Sequence, residues 1–251
     1  MLKKKLLSNE GGSRQRSVYY MYKMFNFVLP IGSLLLIHFG LTPLAVLIVL
    51  FSKWRVLAVK PRHIMANLRS NSVDIIVKLS TLAFMIEAAT LTEQIIWTIW
   101  YIVWLTMIKP ASTRSWMKAQ AAAAHFLGVS AILLLSNSLN HSLILLVIWL
   151  VALSSARHLI SSYEEPRTQI MAHIWALFAL QISWVMSKWL LVYVFVPQLI
   201  FILGVVGYAL VSVYDAHKRE ELKMAFMRQQ AIMTTVILIL IILLADWQGN
   251  T

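Results

Sequence analysis

The sequence predicts an all-α fold, a polytopic transmembrane helical bundle of about nine spans arranged as four helical hairpins plus a final span. Three observations predict it. The chain is 60% hydrophobic and only 13% charged, with a mean hydropathy of +0.75, whereas soluble domains run nearer a quarter charged. Its apolar residues gather into five blocks, three of them too long for one span of about 20 residues and about right for two. Its basic residues fall between those blocks in a way that sorts them to one side.

The first block, Phe25 to Ser52, is long for one span and short for two, with Gly40-Leu-Thr-Pro43 at its centre. Charge favours two. Lys3, Lys4, Lys5, Arg14, Arg16 and Lys23 precede the block, and Lys53, Arg55, Lys60, Arg62 and Arg69 follow it. A single crossing would put one cluster outside, against the positive-inside tendency. Two short or tilted helices keep both inside, at the modest cost of local bilayer thinning. Nothing before Met24 resembles a cleavable signal peptide, so the first span is expected to stay as an anchor.

The second block, Val73 to Ile108, is divided by Thr90-Leu-Thr-Glu93, a capping-box pattern that starts a new helix. The third, Trp116 to Ala156, is broken by the polar cluster from Ser136 to His141. The fourth, Ile170 to Tyr214, is broken between Lys188 and Pro197, where proline suits the start of a helix. Asp215 to Gln230 reads as an interfacial or extended cytoplasmic helix leading into the last span, Ala231 to Ala245. Twenty of the 22 lysines and arginines then lie on the cytoplasmic side; Lys188 is in an outer loop and Lys78 within a helix. Trp54, Trp116, Trp189 and Trp247 stand near span ends, as aromatic-belt residues do.

This organisation gives a basic cytoplasmic segment (1–24), one transmembrane domain (25–246) and a short external tail (247–251). A net charge of +12 would suggest nucleic acid in a soluble protein. Here it points to the anionic headgroups of membrane lipids, and no nucleic-acid partner is expected. A protein partner or a second copy of the chain is compatible with the pattern. The absence of cysteine excludes disulfides and thiolate metal sites. No P-loop, H-E-x-x-H or G-x-S-x-G motif occurs, and no haem pattern, so no metal or other cofactor is expected.

The candidate site residues are the polar and ionisable groups within or beside the spans. Asp74 and Lys78 are four apart and share a helix face. They read as an ion or proton relay, or as a snorkelling lysine neutralised by its neighbour. Glu87 lies near the outer end of the same helix, while Glu93 is accounted for by its cap. His125 and Gln181 fall near the middles of their spans. Histidine can carry a proton and glutamine can bridge helices. His125 stands beside the small pair Ala124 and Gly128, so a histidine bonded across a tight helix contact is the plainer reading. The Trp97, Trp100, Tyr101 and Trp104 face is a lipid or ligand groove, or ordinary packing.

Two cytoplasmic constellations complete the set. Lys53, Arg55, Lys60, Arg62 and Arg69 form a basic cluster suited to anionic headgroups, at roughly 1 kcal/mol per residue near the surface. Arg157 and His158, followed by Glu164, Glu165 and Arg167 with His173 beyond, could hold a metal, act as general base or engage a headgroup. They also read simply as an acidic helix start followed by Pro166.

The stretch from Ser52 to His63 (SKWRVLAVKPRH) running on to Asp74, and the stretch from Ala156 to Glu165 (ARHLISSYEE), resemble segments of uncharacterised multi-span membrane proteins of reduced-genome, candidate-phylum bacteria. The resemblance covers about half the chain. It implies a bacterial plasma membrane and transfers no activity or site. Three functions remain in order: transport or permeation of a small molecule, ion or lipid; a non-catalytic membrane subunit or assembly factor; and an intramembrane enzyme acting on a lipid or headgroup.

Overall fold

The computed structural model describes residues 24–54, 58–136, 139–186, 192–193 and 196–244. The basic segment before Met24, Arg55, Lys188, Trp189, Trp247 and the tail from Ala245 lie outside the described residues. Among the described residues the regular structure is helical apart from one pair of two-residue strands. The helices are α1 (Met24–His38), α2 (Thr42–Phe51), α3 (Pro61–Glu87), α4 (Leu91–Val103) continuing as a π turn (Trp104–Ile108), α5 (Arg114–Leu134), α6 (His141–Ser161), α7 (Thr168–Met186), α8 (Gln198–Lys218) and α9 (Met224–Leu243). Strands β1 (Val192–Tyr193) and β2 (Val196–Pro197) pair antiparallel before α8.

Among the described residues, six helices are long and apolar enough to cross a membrane: α4 with its π turn, and α5 to α9. Nine spans were expected. Of the others, α2 has 10 residues, about 15 Å of helix against a hydrocarbon core of about 30 Å. α3, at 27 residues, is ample in length. Arg62, Arg69, Asp74 and Lys78 keep its composition polar. It also begins at Pro61, twelve residues before the apolar block at Val73, because Pro61 sits at its first turn where a missing N–H costs nothing.

The first block does break where its glycine stands. Gly40 has φ +74°, Gly40 N donates to Ile37 O and Leu41 N to Leu36 O. This is the Schellman closure of a helix end, and it needs a left-handed residue. A second closure occurs between α8 and α9, where Glu220 N donates to His217 O and Glu221 N to Ala216 O around a Glu220 φ of +60°. Residues 215–230 are therefore not one continuous helix.

The helices divide into two compact units, with the boundary after Gln120 inside α5. In the first, α3 and α4 pack against each other and α2 packs on α3. The expected capping box forms: Thr90 Oγ1 accepts from Glu93 N, and Glu93 reaches back to the Thr90 N–H. Phe84 stacks on Trp97 with ring centres 4.3 Å apart. Tyr101 and Trp104 are buried, so much of the aromatic face of α4 is core. Gln120 Nε2 closes the tight turn into α5 by donating to Ile108 O and Ala111 O.

In the second unit the closest pair is α6 and α7, helices from different apolar blocks. Small side chains make this possible. Ala172, Ala176, Ala179 and Ser183 form a fully buried stripe on α7, and Ala152, Ser155 and Ala156 are buried on α6. Breaks in hydropathy marked where the chain turns. They did not mark which neighbours pack closest, because the small-residue stripes decide that in a bilayer. α8 packs on α9, and Gln198 Nε2 at the start of α8 donates to Ile241 O. No residue of α9 is buried.

Candidate functional site

The strongest cluster of polar groups lies in the first unit, centred on Asp74. Its Oδ2 is approached by three ammonium groups: Lys53 in direct contact, Lys109 at 3.1 Å and Lys78 at 3.6 Å. Its Oδ1 accepts from Trp104 Nε1 at 2.9 Å. Lys53 also donates to Asn71 Oδ1 at 2.9 Å, and Lys78 to Ser52 Oγ at 3.2 Å. Asp74, Lys78 and Trp104 are each under a tenth exposed.

Local structure explains the convergence. Lys78 reaches Asp74 because residues four apart stack on one face of α3. Lys53 follows the end of α2, whose buried Ala45 and Val49 bring it close. Trp104 and Lys109 bracket the π turn, closed by Lys109 N donating to Trp104 O at 2.9 Å. A π turn takes in one extra residue and re-aims the residues beyond it, a device common at functional sites. Here it directs an indole and an ammonium at the same carboxylate.

Three ammoniums against one carboxylate leave a formal excess of two positive charges around a buried aspartate; Lys78 is buried with it, and Lys53 and Lys109 are half-buried at its edge. Breaking such a cluster is costly, because each group left behind is an unpaired buried charge. Removing only the indole donor is gentler. Trp104→Phe should lose about 1.5–3 kcal/mol, the worth of a hydrogen bond to a charged group. The check is thermal unfolding of purified protein, and an unchanged melting temperature would show that the indole contact carries no weight.

The structure therefore joins Asp74 and Lys78 with Lys53, which the sequence had grouped with surface headgroup binders. It adds Trp104 and Lys109, which the sequence had assigned to an aromatic face and a cytoplasmic loop. Lys60, Arg62 and Arg69 are exposed, with Arg62 Nε donating to His63 Nε2. Glu87 is exposed at the end of α3.

In the second unit, His125 is 8% exposed and neither ring nitrogen has a hydrogen-bond partner among the described residues. It packs against Trp175, ring centres 5.7 Å apart. Among the described residues, the hydrogen bond of the plainer sequence reading does not form. Ala124 and Gly128 are buried beside it. Gln181 is exposed on α7, so the two are not brought together.

The second constellation is dispersed. Glu165 Oε2 accepts from Tyr214 OH at 2.7 Å and pairs with Lys218 at 2.7 Å. Tyr163 OH donates to Asp215 Oδ1 at 3.0 Å, and the Tyr163 and Tyr214 rings meet edge to face. These contacts tie the loop between α6 and α7 to the end of α8. Glu164 is exposed with φ +56°. His158 is half-buried near the end of α6. His173 is exposed, its Nδ1 engages Gln169 O of its own helix, and its ring lies by Trp149. α7 itself begins at Thr168, two residues past Pro166. Among the described residues no group of three His, Asp or Glu side chains is placed to hold a metal ion.

Hydrogen bonds from Lys218 and Tyr214 hold the Glu165 carboxyl below the usual glutamate range. A depressed acid stabilises the fold above its unfolded pKa, and that contribution is lost as the pH falls through the folded value. Glu165→Gln should therefore melt slightly earlier than wild type at pH 7, with the gap closing below the glutamate range. A gap that widens on acidification would contradict the assignment.

Comparison of the chain with protein-family models, with curated proteins and with solved structures gives no match.

Proposed function

We propose that this multi-pass membrane protein moves a small anionic solute or lipid, with Lys53, Asp74, Lys78 and Lys109 as its binding station. One observation carries the reading: a cluster around a buried aspartate with two formal positive charges in excess of the only carboxylate it holds among the described residues. A purely structural ion pair needs one cation per anion. Surplus cations within a membrane are expensive and typically mark an ion or substrate pathway. We assign Lys60, Arg62 and Arg69 to anionic headgroups at the cytoplasmic surface, where they would concentrate such a solute.

We further propose about nine crossings in a bacterial plasma membrane, with a cytoplasmic N-terminus and an external C-terminus. Side-sorting of the basic residues supports this, with bilayer thinning around the short α2. Accessibility of tags placed at Gly12, Asn140 and Thr251 tests it; a cytoplasmic tag at Thr251 rejects the odd count.

Flux tests the function. Protein reconstituted in liposomes should speed either radiolabelled phosphate efflux or leaflet exchange of a fluorescent phospholipid, and Lys53→Met with Lys109→Met should reduce it. Liposomes carrying folded protein that behave like empty ones would reject transport and leave a non-catalytic subunit.

A further inference from the structure

Beside the charged cluster, α2 and α3 enclose a groove of about 230 Å³ whose wall includes Val49, Leu50, Ile75 and Leu79 together with Lys53 and Lys78. Leu50 and Leu79 are partly exposed, so the groove opens outward from the protein. Two lysines of the Asp74 cluster thus also belong to an apolar channel. That combination is amphipathic, with a cationic element set into an aliphatic one.

Size restricts the occupant. Pockets that enclose a whole drug-sized molecule run to roughly 300–1,000 Å³, so this groove takes only part of a longer molecule. The remainder must lie in an apolar medium. Charge restricts it further. The cluster offers more N–H donors than its acceptors, Asp74 Oδ2, Asn71 Oδ1 and Ser52 Oγ, can use, since each ammonium carries three. The surplus of two charges matches a phosphomonoester, which carries about −1.5 to −2 near neutral pH, better than a singly charged phosphodiester.

Resting on the reading of this cluster as a binding station, we infer that it takes an anionic phospholipid. The phosphate engages Lys53, Lys78 and Lys109, and one acyl chain lies along the α2–α3 groove. Phosphate monoesters such as phosphatidic acid are preferred over phosphatidylglycerol, and zwitterionic phosphatidylcholine is rejected. Cationic pockets between membrane helices on the cytoplasmic side recognise headgroups in this way.

The test is ligand-induced stabilisation of the full chain in a neutral detergent. It is titrated separately with dioctanoyl phosphatidic acid, phosphatidylglycerol, phosphatidylcholine and inorganic phosphate. A ligand that binds only the folded state raises the melting temperature with a concentration dependence that reports its affinity. Phosphatidic acid should act at the lowest concentration and phosphatidylcholine not at all. Neutralising Lys53 or Lys109 to methionine should weaken phosphatidic acid roughly fivefold for each lysine. Leu79→Trp, at an exposed position that should fold normally, should fill the groove and abolish the preference for lipid. Equal stabilisation by phosphatidylcholine, or by inorganic phosphate at the same concentration as phosphatidic acid, overturns the inference. Lipid binding without flux in liposomes would reject transport and leave the lipid site standing; phosphate flux without lipid binding would do the reverse.

Discussion

Replacing Asp74 by asparagine is expected to cost about 3–5 kcal/mol of stability, the scale of breaking a buried ion pair by removing one partner. Asparagine nearly preserves shape, so packing is unchanged and the effect is electrostatic. Lys53, Lys78 and Lys109 converge on that carboxylate, and without it they repel one another in surroundings that screen poorly. Trp104 Nε1 could still donate to an amide oxygen, so the loss should exceed that of Trp104→Phe. The measurement is thermal or denaturant unfolding in detergent. The double variant Asp74→Asn with Lys78→Met supplies the discriminating result. Removing the most buried of the cations should restore part of the lost stability. Additive losses in the double variant would mean that the aspartate acts through packing, because uncoupled residues add and coupled ones do not.

Ala176→Leu is expected to produce the second large effect, about 1–3 kcal/mol or more from overpacking a filled interface. Ala176 is fully buried in the stripe that lets α7 approach α6. In lipid, leucine gains nothing by burial, since acyl chains are as apolar as its side chain, and close van der Waals contact is what holds helices together. Added methylenes at this point must separate the pair. Ile174, two residues away and 62% exposed, is the control: Ile174→Leu should leave the melting curve in place. Equal tolerance of leucine at both positions would remove the stripe as the reason for the pairing.

How far the sequence alone could anticipate these features varies with how local their causes are. The α1–α2 break was legible because Gly40 supplies the left-handed conformation of its Schellman turn. The chemically identical closure after α8 was not, because Glu220 fills that position and signals nothing in composition. Thr90 and Glu93 announced the start of α4 within four residues. Pairing between α6 and α7 depended on small residues in two apolar blocks that hydropathy could not rank. The candidate site divides in the same way. Asp74 and Lys78 form a local pair visible from spacing. Lys53 and Lys109 are distant in sequence and joined only when α2 and the π turn are in place. Each looked like a headgroup ligand or loop cation because a lysine's own neighbours do not reveal where its long side chain ends.

The π turn at Trp104–Ile108 makes the cluster depend on a backbone ladder as well as on residue types. An α-helix advances about 100° per residue, so five residues of α-helix would carry Lys109 about 140° round from Trp104. The wider i→i+5 ladder returns it to about the face that an i+4 residue would hold. The same residues relaxed into a regular α ladder would swing Lys109 about a quarter turn away from Asp74. Losing one residue together with the π turn would restore the facing with an ordinary α turn. In this stretch the extra residue and the π ladder must be gained or lost together.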